Sequence, residues 1–241
     1  KAEITIEVNP GPVTLEKLED YKRAGINRLS IGLQSTHEHL LKEIGRIHTY
    51  LDFLDTFRFA REAGFENINV DLIIGIPNQT LEEVKDSIEE IVSMEPEHIS
   101  VYSLILEENT PLFKKVEEGL ELPNEDLERK MYWAVKQTLE QNNYIHYEIS
   151  NFAKKGYESK HNLDCWNQKE YIGFGIAAHS YTNGIRYSNI ENIEQYIKNY
   201  DEDKTEENLV FHEKQDMEAM QKEYMLLGLR KIDGVSIQEF K

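Results

Sequence analysis

The chain has 241 residues, 39% of them hydrophobic and 30% charged, with a net charge of −18. That length suits one large domain, or one domain with part of another, and no apolar run reaches the ~18 residues that cross a bilayer, so no transmembrane segment is expected. The acidic balance disfavours nucleic acid and anionic membrane partners, and the single cysteine, Cys165, excludes an internal disulfide.

In chain order, the first residues (KAEITIEVNP) read as a strand over 3–8, which places the natural N-terminus upstream of Lys1. No signal peptide is seen, and with one cysteine the expected location is cytoplasmic. Thr14 caps a helix running to Ala24, and Gly25 ends it. A second strand spans 28–34. A periodic helix over 51–63 ends at Gly64, and a third strand covers 67–74. Thr80 and Glu83 form a capping box for a helix over 81–94. Pro96 then breaks the chain before a fourth strand over 98–105. This βα alternation predicts a parallel sheet.

The strands alternate instead of running continuously apolar, as parallel strands covered on both faces usually do. Ile4, Ile6 and Val8 oppose Thr5, Glu7 and Asn9. Leu29, Ile31 and Leu33 oppose Ser30, Gly32 and Gln34. Ile68, Val70 and Leu72 oppose Asn67, Asn69 and Asp71. Ile99 and Val101 oppose His98, Ser100 and Tyr102. Helices are expected on the apolar side. The polar side must line something wet or liganded, because four polar strand faces do not share a dry core. A barrel-like sheet satisfies both faces, and Glu7, Gln34 and Asp71 fall at strand ends where such barrels place their chemistry.

Beyond Glu108 the pattern changes. Asn124 caps a long helix over 125–141, an irregular aromatic-rich region covers 144–187, and a helix spans 193–201. An acidic linker (DEDKTEEN) follows, then an amphipathic helix over 213–229 and a turn entering a further helix. The expected organisation is 1–112, 113–207 and 208–241.

Several strings in this order resemble one family: IEVNPG at 6–11, RLSIGLQS at 28–35, GR at 45–46, NVDLIIGIPNQT at 69–80, SVYSLILEENTP at 100–111 and GFGIAAHSY at 173–181. The set is similar to the oxygen-independent coproporphyrinogen III oxidase family of radical S-adenosylmethionine (SAM) proteins and its heme-chaperone relatives. The resemblance implies an α/β fold: a partial (β/α)6 barrel whose last four strands are present here, followed by an α+β C-terminal region. It implies SAM contacts at Glu7, Gln34, Arg46, Asp71, Ile105 and His179. It also implies a [4Fe–4S] cluster on cysteines upstream of Lys1, since one cysteine cannot hold a cluster and no metal site is expected within this chain. By its chemistry Arg46 would pair with the SAM carboxylate, and Glu7 or Asp71 would accept from its hydroxyls or ammonium.

The string HNLDCW at 161–166 resembles the heme-chaperone branch, with Cys165 standing where that branch carries tyrosine. The resemblance therefore implies heme binding and delivery to recipient heme proteins, with His161 as the candidate axial ligand and Cys165 a second donor nearby. Trp166, Tyr147, Phe152, Tyr171 and Phe174 either stack on a porphyrin or build a core. The alternative is the oxidase itself, converting coproporphyrinogen III to protoporphyrinogen IX by radical chemistry. A third reading is a cofactor-free binding module.

Overall fold

A computed structural model describes residues 2–238 and 240, without the side chains of residues 211–213. Lys1, Glu239 and Lys241, which the expected first and third segments include, lie outside the described residues. The chain forms two compact units, 1–158 and 159–241.

The first unit alternates strand and helix as β1 (Thr5–Val8), α1 (Leu15–Arg23), β2 (Arg28–Gln34), α2 (Glu38–Glu43), α3 (Tyr50–Glu62), β3 (Ile68–Ile74), α4 (Leu81–Ser93) and β4 (His98–Ser103). Then come α5 (Pro111–Glu117), α6 (Glu125–Gln141), β5 (Ile145–Glu148) and β6 (Asn151–Ala153). β1 to β4 pair in parallel, and the hairpin β5–β6 joins the edge of β4 antiparallel, giving the order β1-β2-β3-β4-β6-β5. Three of the four crossover helices, α1, α3 and α4, start where a side chain satisfies free backbone N–H groups, while α2 has no side-chain cap. Thr14 accepts from Lys17, while Thr49 with Asp52 and Thr80 with Glu83 each form both halves of a capping box. The apolar residues of the strands meet the helices in one core that includes Leu29, Ile31, Val70, Leu72 and Ile99 against Leu18, Phe53, Ile88 and Met131.

The second unit holds α7 (Lys160–Trp166), β7 (His179–Thr182), β8 (Ile185–Asn189), α8 (Ile193–Asp201), a 3-10 turn over Thr205–Asn208, β9 (Leu209–Lys214) and α9 (Met217–Gly228). Its sheet is antiparallel in the order β7-β8-β9. The region expected to be irregular over 144–187 thus contains β5, β6, α7, β7 and the start of β8. Those strands are only 3 to 5 residues long, and pairing defines them more than periodicity does. The helix expected from 213 starts later, because Asp216 caps α9 and the residues before it pair with β8. After α9 the chain turns, and no further helix is present among the described residues.

Candidate functional site

Register, more than strand identity, builds the polar face of the first unit. Glu7 lies beside Ser30, Ser30 beside Asn69, and Asn69 beside His98. Toward the strand C-termini, Gly32, Asp71, Ser100 and Asn151 form the next level. Asn69 is the hub between them. Its amide donates to Ser30 Oγ and Asp71 Oδ1, both at 2.7 Å. Its carbonyl accepts from Ser100 Oγ at 3.0 Å and from His98 Nδ1 at 2.5 Å. Both donors and both lone pairs are used, so the residue has one permitted orientation.

The same network sets the His98 tautomer, and burial keeps the ring neutral. Nδ1 donates to Asn69, which leaves Nε2 to accept from the Tyr147 hydroxyl at 2.7 Å. Burial, with the Arg28 guanidinium nearby, holds its pKa well below the usual histidine value. Burial also pushes the Asp71 carboxyl up, and the charge of Glu7 adds to that, while donors on Asn69, Ser30 and Ser100 oppose the shift. A buried carboxylate facing a second carboxylate is a place for a cationic group. The Tyr102 hydroxyl is raised by burial and by the charges of Asp71 and Glu148.

Gln34 closes β2 with a left-handed φ of 76°, at a register shift between Gly32 and Gln34. A side chain at Gly32 would place its Cβ 3.0 Å from Gln34 Nε2, so the glycine lets the amide lie across the polar face. Strain at a strand end, held by its surroundings, belongs with sites that grip a ligand. Arg46 follows α2 and is partly exposed, with no carboxylate within 4.0 Å of its guanidinium among the described residues. Ile105, beyond β4, is 80% exposed and so contributes nothing to the core.

The structure therefore places Glu7, Gln34 and Asp71 on one face of one sheet. Arg46 lies in the loop between α2 and α3, and Ile105 in the loop that follows β4. His179 and His161 belong to the second unit. Sequence reasoning put Ser30, Asn69, His98 and Ser100 on the polar face but gave them no part in the site. Alternation marks the face, whereas only the register reveals which residues share a level.

In the second unit, the GFGIAAHSY segment is a tightly held loop. Gly173 N–H donates to Ser180 Oγ at 3.0 Å, and the Asn189 amide donates to Gly175 O at 2.6 Å. A Cβ on Gly173 would lie 2.2 Å from the backbone oxygen of His179, so only glycine fits. His179 opens β7 opposite Ser188. His161 is exposed on α7, and Cys165 Sγ lies 3.8 Å from its Nε2, so both donors occupy one helix face. The Cys165 thiol is pushed up by burial and by Asp164. Of the aromatic residues, Phe152 is sealed in the first unit's core and Tyr147 is tied to His98, while Phe174 is exposed. The Arg230 guanidinium stacks over the Trp166 ring at 4.4 Å.

Residues 1–91 match the family model described as the Radical SAM superfamily. The chain is 44% identical over 242 residues to the heme chaperone HemW of Bacillus subtilis, covering 99% of this chain and 63% of that protein. It is 40% identical over 240 residues to the heme chaperone HemW of Lactococcus lactis, covering 99% of this chain and 62% of the relative. Among solved structures, the coproporphyrinogen III oxidase HemN of Escherichia coli matches with a TM-score of 0.79 at 22% identity, covering 95% of this chain and 55% of that one. The chain thus spans a little over three-fifths of the length of the curated relatives it matches. No helix among the described residues is long and apolar enough to cross a membrane.

Proposed function

Because the chain belongs to the radical SAM superfamily, in its coproporphyrinogen III oxidase-like family, we propose that the intact protein is a heme chaperone that binds heme and passes it to heme proteins. The first unit carries the last four strands of that family's partial (β/α)6 barrel. The observation that carries the proposal is 44% identity to a heme chaperone along 99% of this chain. The fold likeness to the oxidase, at 22% identity, supports the shared scaffold alone.

The residues present fit SAM. Glu7 and Asp71 offer negative charge to its ammonium and sulfonium, and the Gln34 amide lies across Gly32 on the same face. Arg46 is the candidate for the carboxylate. His179 and Ile105 are the remaining candidate contacts. SAM, when bound, supplies the source of radical chemistry in this superfamily. What this chain's residues contribute is orientation: Asn69 and Ser30 hold the Asp71 carboxylate in place, and neutral His98 holds Asn69. A [4Fe–4S] cluster does not fit these residues, since no group of three or more His, Cys, Asp or Glu side chains is placed to hold a metal among the described residues. Its ligands are proposed to lie in the part of the intact protein outside this chain.

His161 is the proposed heme ligand, with Cys165 beside it as a second donor. The test is a heme titration of the intact, cluster-reconstituted protein beside an anaerobic assay with coproporphyrinogen III and SAM. Heme binding without protoporphyrinogen supports the chaperone, and product formation makes the protein an oxidase. His161→Ala should weaken heme binding by about tenfold or more and shift the heme spectrum. An unchanged spectrum and affinity remove His161 from the account. In the same protein, Asp71→Asn should weaken SAM binding by about tenfold or more, the scale of a charge-assisted hydrogen bond. Unaltered SAM affinity, measured by calorimetry, would remove Asp71.

A further inference from the structure

We propose that the outer groove between α4 and α6 docks an acidic segment of a protein partner, anchored by one large apolar side chain. The groove is lined by Leu81, Lys85, Arg129, Lys130 and Trp133, with Asp126 as its one acidic residue. Charge sets it apart. The chain as a whole has 27 basic against 45 acidic side chains, yet the groove has three basic residues to one acidic. Glu82 and Asp126 stand beside Lys85 and Arg129, so Lys130 is the cation left over; at physiological ionic strength fields decay over ~8 Å, and a partner in the groove feels this local balance more than the negative charge farther off.

The cations are available to a partner. Lys130 has no carboxylate within 4.0 Å among the described residues. Lys85 sits 3.6 Å from Glu82 and Arg129 sits 3.2 Å from Asp126, both exposed pairs within one helical turn. Pairs of that kind contribute little, so an incoming carboxylate can replace either acid. Nearby, Lys136 is engaged with Glu140 at 2.5 Å.

The apolar part of the groove is Trp133, 50% exposed on a rigid support. Val84 and Ile88 of α4 and Met131 and Val135 of α6 anchor the two helices in the core, and the Lys136 ammonium lies over the Trp133 ring at 5.8 Å. Tryptophan and arginine are the residue types that dominate interface energetics. A free dicarboxylate would use the cations and leave the indole bare, whereas a basic segment would face three like charges. An acidic segment with an apolar anchor satisfies both parts.

The test is fluorescence anisotropy on the intact protein with a labelled peptide of Asp and Glu residues flanking one Phe. Saturable binding is expected, together with a loss of affinity as salt is raised. The same peptide with Lys in place of the acids should not bind. Lys130→Glu should weaken binding by about fivefold or more, and Trp133→Ala by about tenfold, while Trp133→Phe keeps most of it. Both positions are on the surface, and unchanged thermal melts would establish that the variants fold. Absence of binding, equal binding of the Lys peptide, or wild-type affinity in both Lys130→Glu and Trp133→Ala overturns the proposal. So does equal affinity for the acidic peptide with Gly in place of Phe, which would reduce the groove to a simple anion patch.

Discussion

Asn69 and His98 show how single side chains decide this site. Asn69 uses all its hydrogen-bonding capacity inside the first unit, joining Ser30 and Asp71 on one side to Ser100 and His98 on the other. His98 must stay neutral to accept from Tyr147, and burial keeps it so. This has a consequence for stability. Below the ordinary histidine pKa of 6.5 the unfolded chain takes up a proton that the folded chain refuses, so stability falls as pH drops below that value. Above it the group has no effect. His146, also lowered by burial, acts in the same direction. Each contributes at most about 1.4 kcal/mol per pH unit. Urea midpoints should therefore fall between pH 7 and pH 5, and His98→Asn should flatten that slope. An identical slope in the variant would mean that folded His98 takes up its proton at the same pH as in the unfolded chain.

Among the elements, the helices of the first unit were the most legible. α6 has the bounds that its pattern and its Asn124 cap predict. α4 needed only the spacing of Thr80 and Glu83, and Thr80 does accept from Glu83 N–H at 3.2 Å while Glu83 accepts from Thr80 N–H at 2.8 Å. Thr80→Ala removes one half of that box and should cost about 1 kcal/mol in urea unfolding, with the m-value unchanged. A loss near zero would mean that water replaces the cap. The hairpin β5–β6 and the strands β7 and β9 were not legible. Their residues carry no clear period of 2, and β9 follows an acidic run that reads as linker. They are strands because partners accept their backbone hydrogen bonds, which is a property of the neighbours. The GFGIAAHSY loop falls between these cases. Its glycines announce a turn, but that Gly173 packs against the His179 carbonyl is visible only in three dimensions.

For the molecule as a whole, the net charge of −18 opposes compaction. Raising ionic strength from low to moderate should screen that repulsion and raise the melting temperature, by about 2–4 °C for each kcal/mol gained. A melting temperature that is flat or falls with salt would show that the attractive pairs, such as Arg61 with Glu97 and Arg186 with Glu223, outweigh the repulsion. The sequence by itself determined the βα order, the parallel sheet, the caps and the split of each strand into an apolar and a polar face. These follow from local periodicity and from side chains that bond their own backbone, which act within a few residues. Tertiary structure alone decided which polar residues share a level and which histidine is locked neutral. It also decided where Gln34 adopts its left-handed turn and that three cations meet beside Trp133 in an acidic chain. Those depend on register, burial and contacts between residues far apart in the chain, and a pattern of neighbours along one strand does not contain them.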